Sequence, residues 1–333
     1  MRNTIPLWED GEYRWPAAGG FRPTVTAYLH DDDVVRPAVI VVPGGSYCFV
    51  APGEGEPVAD VFFEKGYQTF VIVYTTNPCF RGRLGYQPLN DLARAVRIVR
   101  KNAARWHIDP QRVVVCGFSA GGHLAGSLTM HWNAPFVLPD PDGVSCRPDA
   151  ALLSYPVVSM GEYAHFDSRR ALLGSLFTPE QAHEMSLEEH VAADTPPIFF
   201  WHTRDDATVP VQNSLLLEQA LRKHGVVHEL HLFSHGAHGA TLANERWKND
   251  ENGELDTEVQ YYATGRYELE EGGAKEIYPN IDLTRFSDVD EWIAYCKERR
   301  AANVAARRTD PGIALWPELA DCFLHRIWPN GSI

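Results

Sequence analysis

The chain has 333 residues, 44% of them hydrophobic and 22% charged, which is ordinary globular composition and enough to bury a large core. Its formal net charge of −14 opposes binding to nucleic acid or to an anionic membrane and favours a neutral substrate over a polyanion. No stretch approaches the eighteen or so uncharged residues of a membrane span, and acidic residues stand near the N-terminus where a signal peptide needs an apolar run; the expectation is a cytoplasmic protein without nucleic-acid or membrane partners.

Short apolar runs alternate with helical patterns along the chain. Residues 24–29 (TVTAYL) alternate like a half-exposed strand, while 38–42 (AVIVV) and 69–74 (TFVIVY) are continuous and β-branched, as in strands buried on both faces. Between them, 56–65 is helical. Leu89, Leu92, Val96 and Val99 recur at helical spacing, which predicts an amphipathic helix over 88–106. A strand at 112–116 (RVVVC) and a helix at 121–131 follow, then strands at 150–154, 197–201 and 229–233, with a helix at 211–224 ending near Gly225. Seven strands, five of them alternating with helices, predict an α/β fold with a mostly parallel central sheet. Two segments interrupt the pattern: a short cap-like insertion at 161–194 and a longer, aromatic-rich one at 244–311, before a last apolar helix at 314–328.

The six cysteines show no CxxC spacing and read as free thiols. His235 and His238 have an HxxH spacing, but no acidic third ligand accompanies them at a helical interval, so neither zinc nor any other metal or cofactor is expected.

Four motifs carry chemistry. Gly117-Phe118-Ser119-Ala120-Gly121 matches GxSxG, a pattern that arises by chance in roughly one chain in ten of this length. Here it directly follows a buried strand and opens a helix, the context that holds a serine at a tight turn with Oγ exposed. Pro43-Gly44-Gly45-Ser46-Tyr47 follows the strand AVIVV; backbone N–H groups of Gly45 and Ser46, with that of Ala120, are the candidate oxyanion hole, and Tyr47 is a candidate substrate contact. Asp205 and Asp206 lie after the strand PIFFW. Only one can reach an imidazole, and the spacing to Val209-Pro210 favours Asp206. His238, followed by glycine in the loop after ELHLF, is preferred to His235 as the base; His123, one turn after Ser119, reads as a packing residue. The order Ser, Asp, His is that of α/β-hydrolases and differs from both chymotrypsin and subtilisin.

With these residues the sequence resembles the esterase branch of the α/β-hydrolase superfamily, near acetyl-xylan esterase-like and feruloyl-esterase-like proteins and the hormone-sensitive lipase group. The resembling stretches are VVPGGSY, PGEGEPVA, the segment 106–128 around GFSAG, 195–215 and HLFSHGAHG. The resemblance implies an α/β-hydrolase fold with Ser119 as nucleophile, Asp206 as acid and His238 as base, no cofactor, and a short acyl group such as acetyl on a carbohydrate as substrate. The segment PGGSY departs from the HGGG of hormone-sensitive lipase relatives, and 244–311 has no counterpart in the simpler members. The alternatives are an amidase or peptidase on the same fold, or a catalytically silent scaffold used for binding. Eight aromatics in 244–311, among them Trp247, Tyr261, Tyr262 and Tyr278, argue for folded structure. Insertions at the C-terminal edge of such a sheet lie over the crevice where ligands bind, so this one is expected to cover the substrate entrance or to build the interface of a homo-oligomer. Within it, 287–301 reads as a helix with Ser287 as N-cap.

Overall fold

The computed structural model describes residues 2–13, 15, 20–80, 82–270 and 285–328. Eight strands form one sheet: β1 (Arg2–Pro6), β2 (Thr24–Tyr28), β3 (Arg36–Val42), β4 (Gln68–Val73), β5 (Ile108–Phe118), β6 (Ala150–Ser154), β7 (Ile198–Thr203) and β8 (His228–Phe233). Their order is β1-β2-β4-β3-β5-β6-β7-β8, antiparallel for the β1–β2 and β2–β4 pairs and parallel elsewhere. The helices are α1 (Glu56–Glu64), α2 (Gln87–Lys101), α3 (Ser119–His131), α4 (Phe166–Leu173), α5 (Pro179–Glu184), α6 (Gln212–Lys223), α7 (Glu245–Lys248), α8 (Val259–Glu270), α9 (Val289–Ala306) and α10 (Trp316–Ile327). The expected α/β-hydrolase fold is the one observed.

The continuous apolar strands are explained by burial on both faces. Along β3, Ile40 and Val42 join a core shared with α2, α3 and α6, while Val39 and Val41 join a second core shared with α1 and α10. The period of two along a strand sends alternate side chains to opposite layers, so every position must be apolar. The parallel strands all end on one edge of the sheet, and the loops after β3, β5, β7 and β8 meet there.

Several expectations shift. β1 was not expected as a strand: its residues are mostly exposed, and backbone pairing to β2 rather than an apolar face defines it. The helix read over 88–106 ends at Lys101, where the Asn102 side chain turns back to the Ile98 carbonyl and a turn carries the chain into β5. The N-cap of α9 is Asp288, whose carboxylate accepts the Glu291 N–H, whereas Ser287 donates its N–H and its hydroxyl to the Glu291 carboxylate; the capping pattern is one residue later than read. The longer insertion forms α7, α8 and α9, and Tyr278 lies outside the described residues.

Candidate active site

Ser119 sits at the turn between β5 and α3 with φ +52°, a left-handed conformation that costs a non-glycine residue and persists only where its surroundings enforce it. Those surroundings are very tight. A Cβ on Gly117 would lie 2.3 Å from the Gly121 carbonyl oxygen, and one on Gly121 would lie 2.1 Å from that of Val42. Both glycines of the motif are therefore required by the approach of α3 to the strand ends. The turn presents Oγ to a hydrogen bond of 2.8 Å with His238 Nε2.

His238 stands on the loop after β8 and donates Nδ1–H to Asp206 Oδ2 at 2.7 Å. That bond leaves Nε2 as the acceptor for the Ser119 hydroxyl. Asp206 is buried, and its Oδ1 takes the N–H groups of Thr208 and Val209 at 2.8 and 2.9 Å. Burial opposes its ionisation, but the bonds from His202 and His238, the attraction of the His238 imidazole and the Val209 N–H outweigh it and hold the carboxyl well below the usual range. Asp205 turns away instead: exposed, it accepts the Gly236 N–H at 2.8 Å and faces His235 Nδ1 at 3.2 Å.

His202 was not singled out in the sequence, where it falls just beyond the strand read at 197–201; the observed β7 includes it. It is fully buried, donates Nε2–H to the Val209 carbonyl at 2.9 Å, accepts from Ser214, and lies 3.3 Å from Asp206 Oδ2. It thereby fixes the loop on which Asp206 rides. The readable signal was a histidine directly following the apolar run PIFFW, three residues before the acidic pair.

The glycine loop after β3 passes directly over Ser119: a Cβ on Gly44 would lie 2.9 Å from the serine Cβ. Three successive positive φ angles, at Gly45, Ser46 and Tyr47, curl the loop. The Gly45 carbonyl takes the N–H groups of Cys48 and Phe49, and Gly44 N–H is held by Glu54 Oε2 at 2.7 Å. The N–H groups of Gly45, Ser46 and Ala120 form no hydrogen bond among the described residues. Tyr47 is corrected by the structure. It is 1% exposed, and its hydroxyl is spent on His123 Nδ1 at 2.8 Å beneath the loop, so it cannot touch a substrate. The buried His123 donates its other ring N–H to the Met185 carbonyl, and burial lowers its pKa to about 4, consistent with a packing role.

Glu54 is the larger omission. It was given no role in the sequence, where it falls in the resembling stretch PGEGEPVA, yet it is buried and also accepts the Tyr155 hydroxyl at 2.7 Å. Tyr155, with φ +36° just after β6, packs its ring edgewise against the His238 imidazole, centroids 4.9 Å apart. One carboxylate thus braces both the glycine loop and the wall behind the histidine. The loop of His238 is pinned as well by two indoles: Trp247 donates to the Gly239 carbonyl at 3.0 Å and Trp316 to that of Thr241 at 2.7 Å.

A crevice of about 1010 Å³ opens beside His238, walled on one side by Phe49 and Glu54 and on the other by α8 and α9, with Tyr261, Tyr262, Tyr295 and Arg299. The longer insertion therefore borders the entrance. Asp167 of the shorter insertion also reaches it. No described helix is long and apolar enough to cross a membrane.

The BD-FAE family model matches residues 28–221. Endo-1,4-beta-xylanase B of Butyrivibrio fibrisolvens is 44% identical over 242 residues, covering 72% of this chain and 38% of that protein. Acetylxylan esterase of Xylanibacter ruminicola is 32% identical over 208 residues, covering 61% of this chain and 40% of that protein. The chain thus spans about two fifths of the length of these curated relatives. Among solved structures, the acetyl ester-xyloside bifunctional hydrolase of Caldicellulosiruptor lactoaceticus superposes with a TM-score of 0.68 at 41% identity, over 75% of this chain and 94% of that one.

Proposed function

Since the chain belongs to the BD-FAE family, we propose that it is a serine esterase that removes short acyl groups, acetyl foremost, from carbohydrate through an acyl-enzyme. The observation that carries this reading is the unbroken path from Ser119 Oγ to His238 at 2.8 Å and on to Asp206 at 2.7 Å. Ser119 Oγ attacks the ester carbonyl while its proton passes to His238 Nε2. Asp206 keeps Nδ1 protonated and stabilises the imidazolium that forms. Its depressed pKa means that it stays ionised while it does so. The tetrahedral oxyanion takes the N–H groups of Gly45, Ser46 and Ala120, each such donor being worth on the order of a hundredfold or more in rate. Collapse expels the alcohol, which collects the proton from His238, and water then repeats the sequence on the acyl-enzyme.

The acyl and alcohol follow the names of the relatives, an acetylxylan esterase and an acetyl ester-xyloside hydrolase. A silent binding scaffold is disfavoured because all three positions are filled and joined by hydrogen bonds. A fluorophosphonate probe tests the reading: wild type is labelled at Ser119 and hydrolyses p-nitrophenyl acetate, while Ser119→Ala does neither. Labelling at another residue, or an unlabelled and inactive wild type, overturns it.

A further inference from the structure

The crevice is larger than the proposed reaction requires. Pockets that enclose a drug-sized ligand run to roughly 300–1,000 Å³, and the one beside His238 stands at the top of that range, whereas an acetyl group fills only a small part of it. The longer insertion supplies a large share of its lining, and one stripe of α9 faces inward. Tyr295, Arg299 and Asn303 line the crevice, and their spacing of four residues puts them on one side of the helix, with Arg307 just past its C-terminal end also at the lining. From Tyr295 to Asn303 the stripe spans about 12 Å along the helix axis.

The chemistry of the stripe is specific. Tyr262 of α8 and Tyr295 are half-buried, each presenting an amphipathic ring to the opening. The Arg299 guanidinium sits over the Tyr295 ring, 5.9 Å from its centroid, and is itself exposed. Arg300 and Arg307 are neutralised by Asp250 and Glu258, which anchors α9. Four carboxylates and four guanidiniums line the crevice, so its formal charge balances in a chain of net −14. Ring faces, planar donors and no net charge suit a neutral polyhydroxylated ligand better than an ion or an aliphatic chain.

We propose that this face of α9, together with Tyr262, is a subsite for the carbohydrate chain of the ester's alcohol, holding sugar units beyond the one that bears the acyl group. The proposal rests on the reading of Ser119 as an esterase nucleophile, and it makes the enzyme one that selects by chain length. Acetylated xylobiose, acetylated xylohexaose and p-nitrophenyl acetate are compared as substrates. Unacetylated xylohexaose is titrated separately into Ser119→Ala by calorimetry. Wild type is expected to prefer the hexaose to the biose by tenfold or more in kcat/KM. In Tyr262→Ala/Tyr295→Ala that preference disappears through KM, and the ratio of hexaose to p-nitrophenyl acetate activity falls by at least tenfold. Should the double variant not fold, Arg299→Gln at the exposed end of the stripe is expected to lower the same ratio severalfold. Equal kcat/KM for biose and hexaose in wild type, no heat from xylohexaose, or a parallel loss on both substrates in the variants overturns the subsite. Failure of the esterase reading looks different: Ser119 stays unlabelled and p-nitrophenyl acetate is not cleaved, while the calorimetric titration still reports on the subsite.

Discussion

Glu54 accepts the hydroxyl of Tyr155 at 2.7 Å, and with its other oxygen it holds the Gly44 N–H at 2.7 Å. Burial raises the pKa of this carboxyl, with the two hydrogen bonds working in opposition, so its acceptors cost something to maintain and are spent on two parts of the site at once. Glu54→Ala leaves two buried donors unanswered and is expected to lower kcat on the order of a hundredfold with little change in KM, comparable to losing an oxyanion donor. In Glu54→Gln the amide oxygen can keep Gly44 while its NH₂ turns to the Tyr155 oxygen, so most of kcat is expected to return. A folded Glu54→Ala enzyme with wild-type kcat would show that the carboxylate positions nothing.

The adjacent carboxylates make a sharp comparison. Asp206→Asn is expected to reduce kcat/KM on the order of ten-thousandfold, because only the residue bonded to Nδ1 sets the His238 tautomer. Asp205→Asn, which loses an exposed contact to His235, is expected to stay within about threefold of wild type. Steady-state kinetics on p-nitrophenyl acetate decide the ranking, and the reverse order would transfer the acid's role to Asp205.

Stability against pH separates two buried carboxylates of opposite sign. Desolvation pushes Asp91 up to about 6, against hydrogen bonds from Thr75, Trp8 and Gln87. Between its unfolded value near 4 and that folded value the native state binds more protons, so this contribution weakens stability as pH rises through the window. Asp206 is depressed, so its contribution is fully present above the unfolded value and is lost only as pH falls below the ordinary carboxylate range. Urea unfolding of wild type and Asp91→Asn at several values from pH 4 to 7 is expected to show their stability difference changing on the order of 3 kcal/mol across the window. A difference independent of pH contradicts the assignment.

The crevice wall contains one very close approach between α8 and α9. A Cβ on Gly265 of α8 would lie 2.1 Å from the ring of Trp292, a fully buried residue of α9 packed against α8. Gly265→Ala is expected to force the helices apart at a cost of about 1–3 kcal/mol. Amide exchange should then accelerate in 259–270 and 289–306, with protection in the sheet unchanged. Wild-type protection in both helices would mean that the ring has room to move.

How much of this was readable beforehand depended on the kind of interaction. The strands β3 to β7 announce themselves because burial on two faces permits only apolar residues. The serine turn does so because close approach permits only glycine at its two ends. Backbone pairing leaves no such mark, so the exposed β1 passed unseen. Buried polar residues were missed or misread. Glu54 passed unremarked and Tyr47 looked available, since nothing local reveals that a partner 101 residues away waits for the one and a buried imidazole for the other. Candidates for the nucleophile, base and acid stood out because strand context and chain order restrict where each can fall; the bracing groups His202, Tyr155 and Glu54 obey no comparable spacing.

The Asp310 N–H donates to the Ala243 carbonyl at 2.9 Å, so the two ends of the longer insertion are tied together where it leaves and rejoins the hydrolase. Closing a long excursion over so short a gap costs free energy that grows only with the logarithm of its length, about 0.6 kcal/mol per doubling. The excursion can therefore change length at little cost to β8 and α10, provided that the groups tying it to the sheet, Trp247 on the Gly239 carbonyl and Gln260 on the Thr76 backbone, are kept. Changes confined to α8 and α9 can reshape the crevice while Trp247 keeps its bond to the Gly239 carbonyl beside His238, so on the proposed reading the range of alcohols accepted is the property that evolves most readily.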